Sequence, residues 1–138
     1  MSDDRYHGEE IIYYIDDINK LPMPKYMNEY DSIRQFRNWD ITPEDWDAGV
    51  RNDDIIYYGL YVNGVRVSGG SIEKYTPDKW ETASIRTERD QRGHGYASQI
   101  VHFITKKILE QGKIATIRTF EENYAMTKII KNFNFEKL

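Results

Sequence analysis

The sequence contains no cysteine and only 4 prolines in 138 residues. Without cysteine there is no disulfide, no thiolate-bound metal and no thiol nucleophile. No apolar run approaches the roughly twenty residues of a membrane helix, and the residues after Met1 do not form a charged-then-apolar leader. We therefore expect no membrane partner and no signal peptide, and we expect a cytoplasmic protein.

Several functional motifs are also missing. His7, His94 and His102 are scattered and lack metal-ligand spacing, so we expect no metal site. A P-loop would need Gly-Lys-Ser/Thr, and a dinucleotide fingerprint would need a third glycine where Ser98 stands. No block of lysine and arginine is present, so we expect no nucleic-acid partner.

Charge is distributed unevenly along the chain. Residues 1–60 hold 14 acidic and 6 basic side chains, whereas residues 61–138 hold 9 acidic and 13 basic ones. A basic half suits a polyanionic cofactor and an acidic half could attract a cationic acceptor, although ordinary solvated faces would give the same pattern.

The length predicts one domain over residues 1–138, with residues 1–8 loose. The apolar run in Glu9–Ile15 predicts a first strand. Helical spacing predicts a helix over Lys25–Trp39, and Thr42-Pro43 predicts the start of a second helix that ends near Asn52.

The rest of the chain has clearer signals. Asn63-Gly64 joins the β-rich runs Ile55–Val62 and Val65–Gly70 and predicts a hairpin. The later elements are predicted as a strand over Trp80–Thr87, a long helix from Ala97 to Gln111-Gly112, a strand over Ile114–Phe120, a helix over Glu122–Asn132 and a short strand within Asn134–Leu138. This order predicts an α+β fold with three layers, α/β/α, around a mixed, mostly antiparallel sheet.

One turn carries the main functional signal. Arg92-Gly93-His94-Gly95-Tyr96-Ala97 lies between a predicted strand and the long helix. Two glycines there let the backbone turn sharply and leave the first N–H groups of the helix unpaired. Together with the helix dipole, these donors form a seat for phosphate.

Two segments resemble one family. Arg92, Gly95 and Ala97, opening a helix after a strand, resemble the acyl-CoA pyrophosphate loop of the GNAT N-acetyltransferase superfamily. Asn123-Tyr124-Ala125-Met126 and Phe133-Asn134-Phe135 resemble its Asn-x-x-Ala and Gly-Phe region, with Asn134 in place of the usual glycine. The resemblance covers residues 54–138. It implies one further strand after Leu138, which is either lost or supplied by a partner chain, so a homodimer is possible.

The resemblance implies how acetyl-CoA would be bound, without a metal. The amides from Arg92 through Gly93, His94, Gly95 and Tyr96 to Ala97 would hold the pyrophosphate. The main chain of Ile85, Arg86 and Thr87 would bind the pantetheine arm and the acyl oxygen. Asn123 would touch the same arm, and its alternative role is a helix N-cap.

The proton acceptor and donor are less well marked. Glu81 lies near the strand position where many family members carry a base, and Glu73 on the neighbouring strand is a second candidate. Many members have a tyrosine seven residues after the asparagine as proton donor. Ile130 stands there and cannot donate a proton, so water or another tyrosine would have to serve.

The expected function is transfer of an acetyl group from acetyl-CoA to a small-molecule or peptide amine by direct attack. The acceptor would bind between the first two predicted helices and the hairpin. Two alternatives remain open: an acyl-CoA-binding or sensing module without catalysis, and a protein-interaction domain without a cofactor.

Overall fold

A computed structural model describes residues 8–24, 31–36 and 55–138. Within these residues the strands are β1 (Glu10–Ile15), β2 (Ser32–Phe36), β3 (Ile55–Val62), β4 (Val65–Glu73), β5 (Lys79–Thr87), β6 (Ile114–Phe120) and β7 (Glu136–Lys137). The helices are α1 (Tyr96–Glu110) and α2 (Tyr124–Asn132), and short 3-10 turns cover Ile18–Lys20 and Arg89–Gln91.

The strands form one mixed sheet with the order β2-β3-β4-β5-β6-β1-β7. β5 and β6 are parallel, whereas the other neighbouring pairs are antiparallel. The predicted α+β class with a mostly antiparallel sheet is therefore confirmed.

The hairpin forms where the sequence predicts it. Asn63 and Gly64 connect β3 to β4 with φ angles of 51° and 77°. Positive φ at both central residues is the type I′ geometry, whose twist matches that of the flanking strands. A local signal of two residues therefore sets the first pairs of this hairpin, and the register then shifts by one residue at an irregularity between Leu60 and Tyr61.

The predicted helix over Lys25–Trp39 is wrong in its described part. Ser32–Phe36 is a strand that pairs antiparallel with β3, with Ile33 opposite Leu60. The open edge of β3 supplies hydrogen-bond partners that sequence spacing does not reveal, and these override a weak helical pattern. The helix predicted from Thr42 to Asn52 lies outside the described residues.

The far side of the sheet has a strand order that the sequence does not indicate. β7 does not pair with β6, because β1 lies between them and pairs antiparallel with both. Asn134, which precedes β7, has a φ of 65°, a left-handed conformation that asparagine tolerates better than most residues. A strand from the early part of the chain thus lies between the two strands that follow α1, and a further strand from a partner chain stays a prediction.

Helix α1 packs on one face of the sheet and carries much of the core. Its Ile100, Ile104 and Ile108 are fully buried, and Thr105 Oγ1 lies 3.0 Å from Thr82 Oγ1 of β5. Gly70 of β4 allows this close approach. A Cβ there would lie 2.8 Å from Ile104 Cδ1 and 3.1 Å from Ile100 Cγ2. The packing fixes the beginning of α1 beside the end of β5.

Candidate active site

The parallel strands β5 and β6 separate along their length. They pair only from Lys79 opposite Ile114 to Glu81 opposite Thr116. Beyond this point, β5 contains a bulge opposite Gly70, where Ser84 has a φ of 54°. A bulge bends and twists its strand. The two strands therefore leave a wedge between them.

The wedge is the inner part of a cleft of about 1000 Å³. The loop before α1, the end of β6 and the start of α2 complete its walls. Nine of the ten predicted cofactor residues line it: Ile85, Arg86, Thr87, Arg92, Gly93, Gly95, Tyr96, Ala97 and Asn123. The tenth, His94, is exposed, and its ring stacks on that of Tyr96 with centroids 5.4 Å apart.

The loop before α1 turns at two glycines. Gly93 and Gly95 have φ angles of 87° and 78°, and Gly95 is the N-cap of α1. The first amide of this segment with a backbone partner is that of Gln99, which donates to Gly95 O at 3.2 Å. No described residue accepts a hydrogen bond from the amides of residues 92–98. Free amides at a helix start form an anion-binding site.

Two side chains hold the walls of the cleft in place. Arg92 Nε donates to Thr87 O at 3.4 Å, which links the loop to the end of β5. Asn123 is the N-cap of α2, and its Oδ1 accepts from Met126 N at 3.3 Å. Asn123 also lines the cleft. Its role as N-cap is therefore observed, whereas its contact with the pantetheine arm stays a prediction.

Glu81 lies at the inner end of the wedge and is only 3% exposed. Arg118 Nε donates to both of its carboxylate oxygens at 2.9 Å, and Thr116 Oγ1 donates to Oε1 at 3.2 Å. The hydrogen bond to Glu81 raises the pKa of Arg118 further above its usual value. Arg118 is therefore a permanent cation held by a buried carboxylate.

Glu73 lies directly opposite Glu81 in the pairing of β4 with β5. The hydroxyl of Tyr75 donates to Glu73 Oε2. That bond, together with burial and nearby carboxylates, raises the pKa of Tyr75 to about 12. Arg118 Cζ lies 5.5 Å from the centre of the Tyr75 ring. The two predicted base candidates thus belong to one polar cluster.

Ile130 is fully buried in the core, in line with the expectation that it donates no proton. The sequence reading missed Arg118, which lines both the cleft and a smaller cavity of about 270 Å³ beside Glu81. A signal was present, because Arg118 is the one charged residue of β6. It lies on the same face as Thr116, and its neighbours Ile117 and Thr119 are buried. An arginine within such a strand indicates a partner carboxylate or a cleft.

Two features are absent from the described residues. No group of three histidine, aspartate or glutamate side chains there could hold a metal ion. None of the helices in the described ranges is long and apolar enough to cross a membrane.

The fold resembles those of solved acetyltransferases. A GNAT-family acetyltransferase from Novosphingobium aromaticivorans matches with a TM-score of 0.68 and 14% identity, over 94% of this chain and 59% of that one. One from Colwellia psychrerythraea matches with a TM-score of 0.66 and 16% identity, over 96% and 53%. These identities establish similarity of fold alone.

A smaller protein is also similar. The ribosomal-protein-S18-alanine N-acetyltransferase from Escherichia coli matches with a TM-score of 0.63 and 13% identity, over 78% of each chain. The present chain spans somewhat more than half the length of the first two structures. No curated protein matches it in sequence.

A family model shows which protein family the chain belongs to. The model described as FR47-like protein matches residues 57–138, which is more than half of the chain and includes the whole wedge and its loop. The chain belongs to the FR47-like protein family, within the GNAT superfamily.

Proposed function

We propose that the protein is an N-acetyltransferase that transfers the acetyl group of acetyl-CoA directly to an amine. One observation carries the proposal: the amides of residues 92–98 have no partner among the described residues and lie along a cleft of about 1000 Å³ between separated strands. A diphosphate at the start of α1 and an extended arm in the wedge fit this shape.

The binding roles follow from position. The loop from Arg92 to Ala97 holds the diphosphate. Main-chain groups of Ile85 to Thr87, freed from β6 by the bulge, bind the arm and polarise the acyl oxygen. Asn123 contributes from the opposite wall.

The amine reaches the acyl carbon from the sheet face opposite α1, because α1 covers the other face. That face carries Glu73 and Glu81, either of which accepts the proton of the amine, directly or through water. Both oxygens of Glu81 are already hydrogen-bonded, whereas Glu73 is half-buried and bonded through Oε2 to Tyr75. A cationic amine, on a small molecule or a peptide, remains the preferred acceptor, and the cytoplasm remains the preferred location.

Calorimetry with CoA tests the binding step, and a thiol-release assay with acetyl-CoA and a panel of amines tests the chemistry. We expect micromolar binding of CoA and amine-dependent release of free thiol. Absence of both heat and thermal shift with CoA would remove the proposal and favour an interaction domain that uses an open sheet edge.

A second function is favoured by one residue. Because Ile130 is buried where a tyrosine donor is expected, a CoA-binding sensor without catalysis would have the same cleft. Tight binding of acetyl-CoA, with no thiol released for any amine, would favour that function.

A further inference from the structure

Acyl transfer needs a means of handling the leaving sulfur, and this inference rests on the proposed function. The amine nitrogen forms a bond to the thioester carbon, and the carbon–sulfur bond breaks. The electron pair of that bond goes to sulfur, and the amine proton goes to a carboxylate. Ile130 cannot protonate the resulting thiolate, so its negative charge must be stabilised in another way.

The wedge has a closed inner end, which limits how far a bound arm can reach. The diphosphate seat lies at the start of α1, at the wide end of the cleft. Pairing between β5 and β6 begins again at Glu81 opposite Thr116. An arm that enters from the loop therefore ends near this pair, and its thioester stops beside the residues just outside it.

Arg118 is placed there. It lies two residues after Thr116 on β6, its side chain is 38% exposed, and it lines both the cleft and the smaller cavity. Only its Nε is used by Glu81, and no described residue bonds its two terminal nitrogens. Those nitrogens remain available as charged donors to a ligand.

We propose that Arg118 is a catalytic residue that stabilises the leaving CoA thiolate by charge and hydrogen bonding, and that Glu81 positions its guanidinium. The arginine keeps its proton, since its pKa is raised by Glu81. The sulfur takes a proton from water after the product leaves. In this arrangement Glu73 is the carboxylate left for the amine.

The charged groups around Arg118 come from three elements. Glu81 faces it from β5 and Glu10 from β1, while Tyr75 and its partner Glu73 face it from the end of β4. Tyr75, with a pKa of about 12, does not ionise where a thiol does. A thiol that titrates beside Arg118 can therefore be measured without interference from this tyrosine.

The test compares CoA with desulfo-CoA, in which hydrogen replaces the thiol. Calorimetry gives the ratio of their dissociation constants from about pH 7 to about pH 10, across the usual range of a thiol. The ratio cancels titration of the protein itself. If the cation lowers the pKa of the bound thiol by about one unit, the preference for CoA rises about 10-fold over this range. We expect this rise in the wild type, its loss in Arg118→Gln, and its retention in Lys106→Gln, which removes an exposed charge on α1, on the other face of the sheet.

The outcomes separate the two proposals. Failure of both ligands to bind at any pH overturns the proposed function. If the wild type binds both ligands and the ratio of their dissociation constants does not change with pH, the role of Arg118 alone is overturned. This outcome does not require that Arg118→Gln folds. A rise that persists in folded Arg118→Gln overturns it as well.

Discussion

At the scale of single residues, the site depends on the conformation of two glycines. Gly93 and Gly95 both have positive φ, and Gly95 caps a helix without a side-chain hydrogen bond. A residue with a Cβ is strained in this region. The loop has glycine where serine or aspartate would usually cap a helix, so no side chain of the cap residue accepts from the first amides of α1.

Gly95→Trp tests this reading against a matched control. Gly112, at the other end of α1, has a φ of 74°, and no atom lies within 4 Å of a Cβ built there. Gly112→Trp should cost a similar amount of backbone strain, about 1–2 kcal/mol, while CoA binding is retained. Gly95→Trp should lose CoA binding in calorimetry. Equal affinities for the two variants would show that the loop is not the diphosphate seat.

The location of a residue at the cleft was predictable where the signal lies within a few residues along the chain. Gly95 and Asn123 are marked by a helix start within a few residues, and both lie on the cleft. The partner of Glu81 was not predictable, because Arg118 is 37 residues away and meets it only after β5 pairs with β6.

At the scale of elements, the packing of α1 against β4 places the loop beside the end of β5. Gly70 faces α1, where an added Cβ would lie within 3 Å of side-chain atoms of Ile85 and Ile104. The next residue, Ser71, is fully buried, and its hydroxyl has no partner in the part of the chain that the structure describes. Adjacent positions of β4 therefore differ: Gly70 has no room for a Cβ, whereas the hydroxyl of Ser71 makes no hydrogen bond to the described residues.

These two positions predict different effects of substitution by alanine on the free energy of unfolding. Gly70→Ala should lower the free energy of unfolding by about 1–3 kcal/mol because the core is overpacked, although alanine is otherwise preferred to glycine in a strand. Ser71→Ala should be neutral or raise it by about 1 kcal/mol, since a buried unpaired hydroxyl is removed. Urea unfolding monitored by fluorescence measures both. Stabilisation by Gly70→Ala would contradict the close contact between α1 and β4.

Elements with their own turn chemistry could be predicted, whereas those that depend on a distant neighbour could not. Asn63-Gly64 specifies its hairpin without help from the rest of the chain. Ser32–Phe36 becomes a strand only because β3 offers it an edge. Its five residues contain no alternation strong enough to outweigh the helical spacing that surrounds them.

At the scale of the whole molecule, β1 belongs to the interior of the sheet. Glu10 pairs with Phe120 and Ile15 with Ala115, while Tyr13 and Tyr14 also pair with β7. Tyr13 and Ile15 are buried in the same core as α1. Sequence order alone places this strand before all the others and gives no indication that it lies between the last two.

Hydrogen exchange followed by mass spectrometry tests this placement. Peptides that cover Ile11–Ile15 should exchange about as slowly as those of β6, because these strands share a ladder. A frayed strand near the start of a chain would exchange within seconds to minutes. Rapid exchange of this segment, with β6 still protected, would contradict the sheet order.

The position of β1 also has a consequence for synthesis on the ribosome. At roughly 5–20 residues per second, β1 emerges several seconds before β6 and β7, the strands that it joins. During that interval its apolar residues have no native partner, and closure of the sheet requires contacts between distant parts of the chain, which slows folding. A nascent chain that stalls before β6 would therefore carry an unpaired, aggregation-prone strand that a chaperone would have to shield.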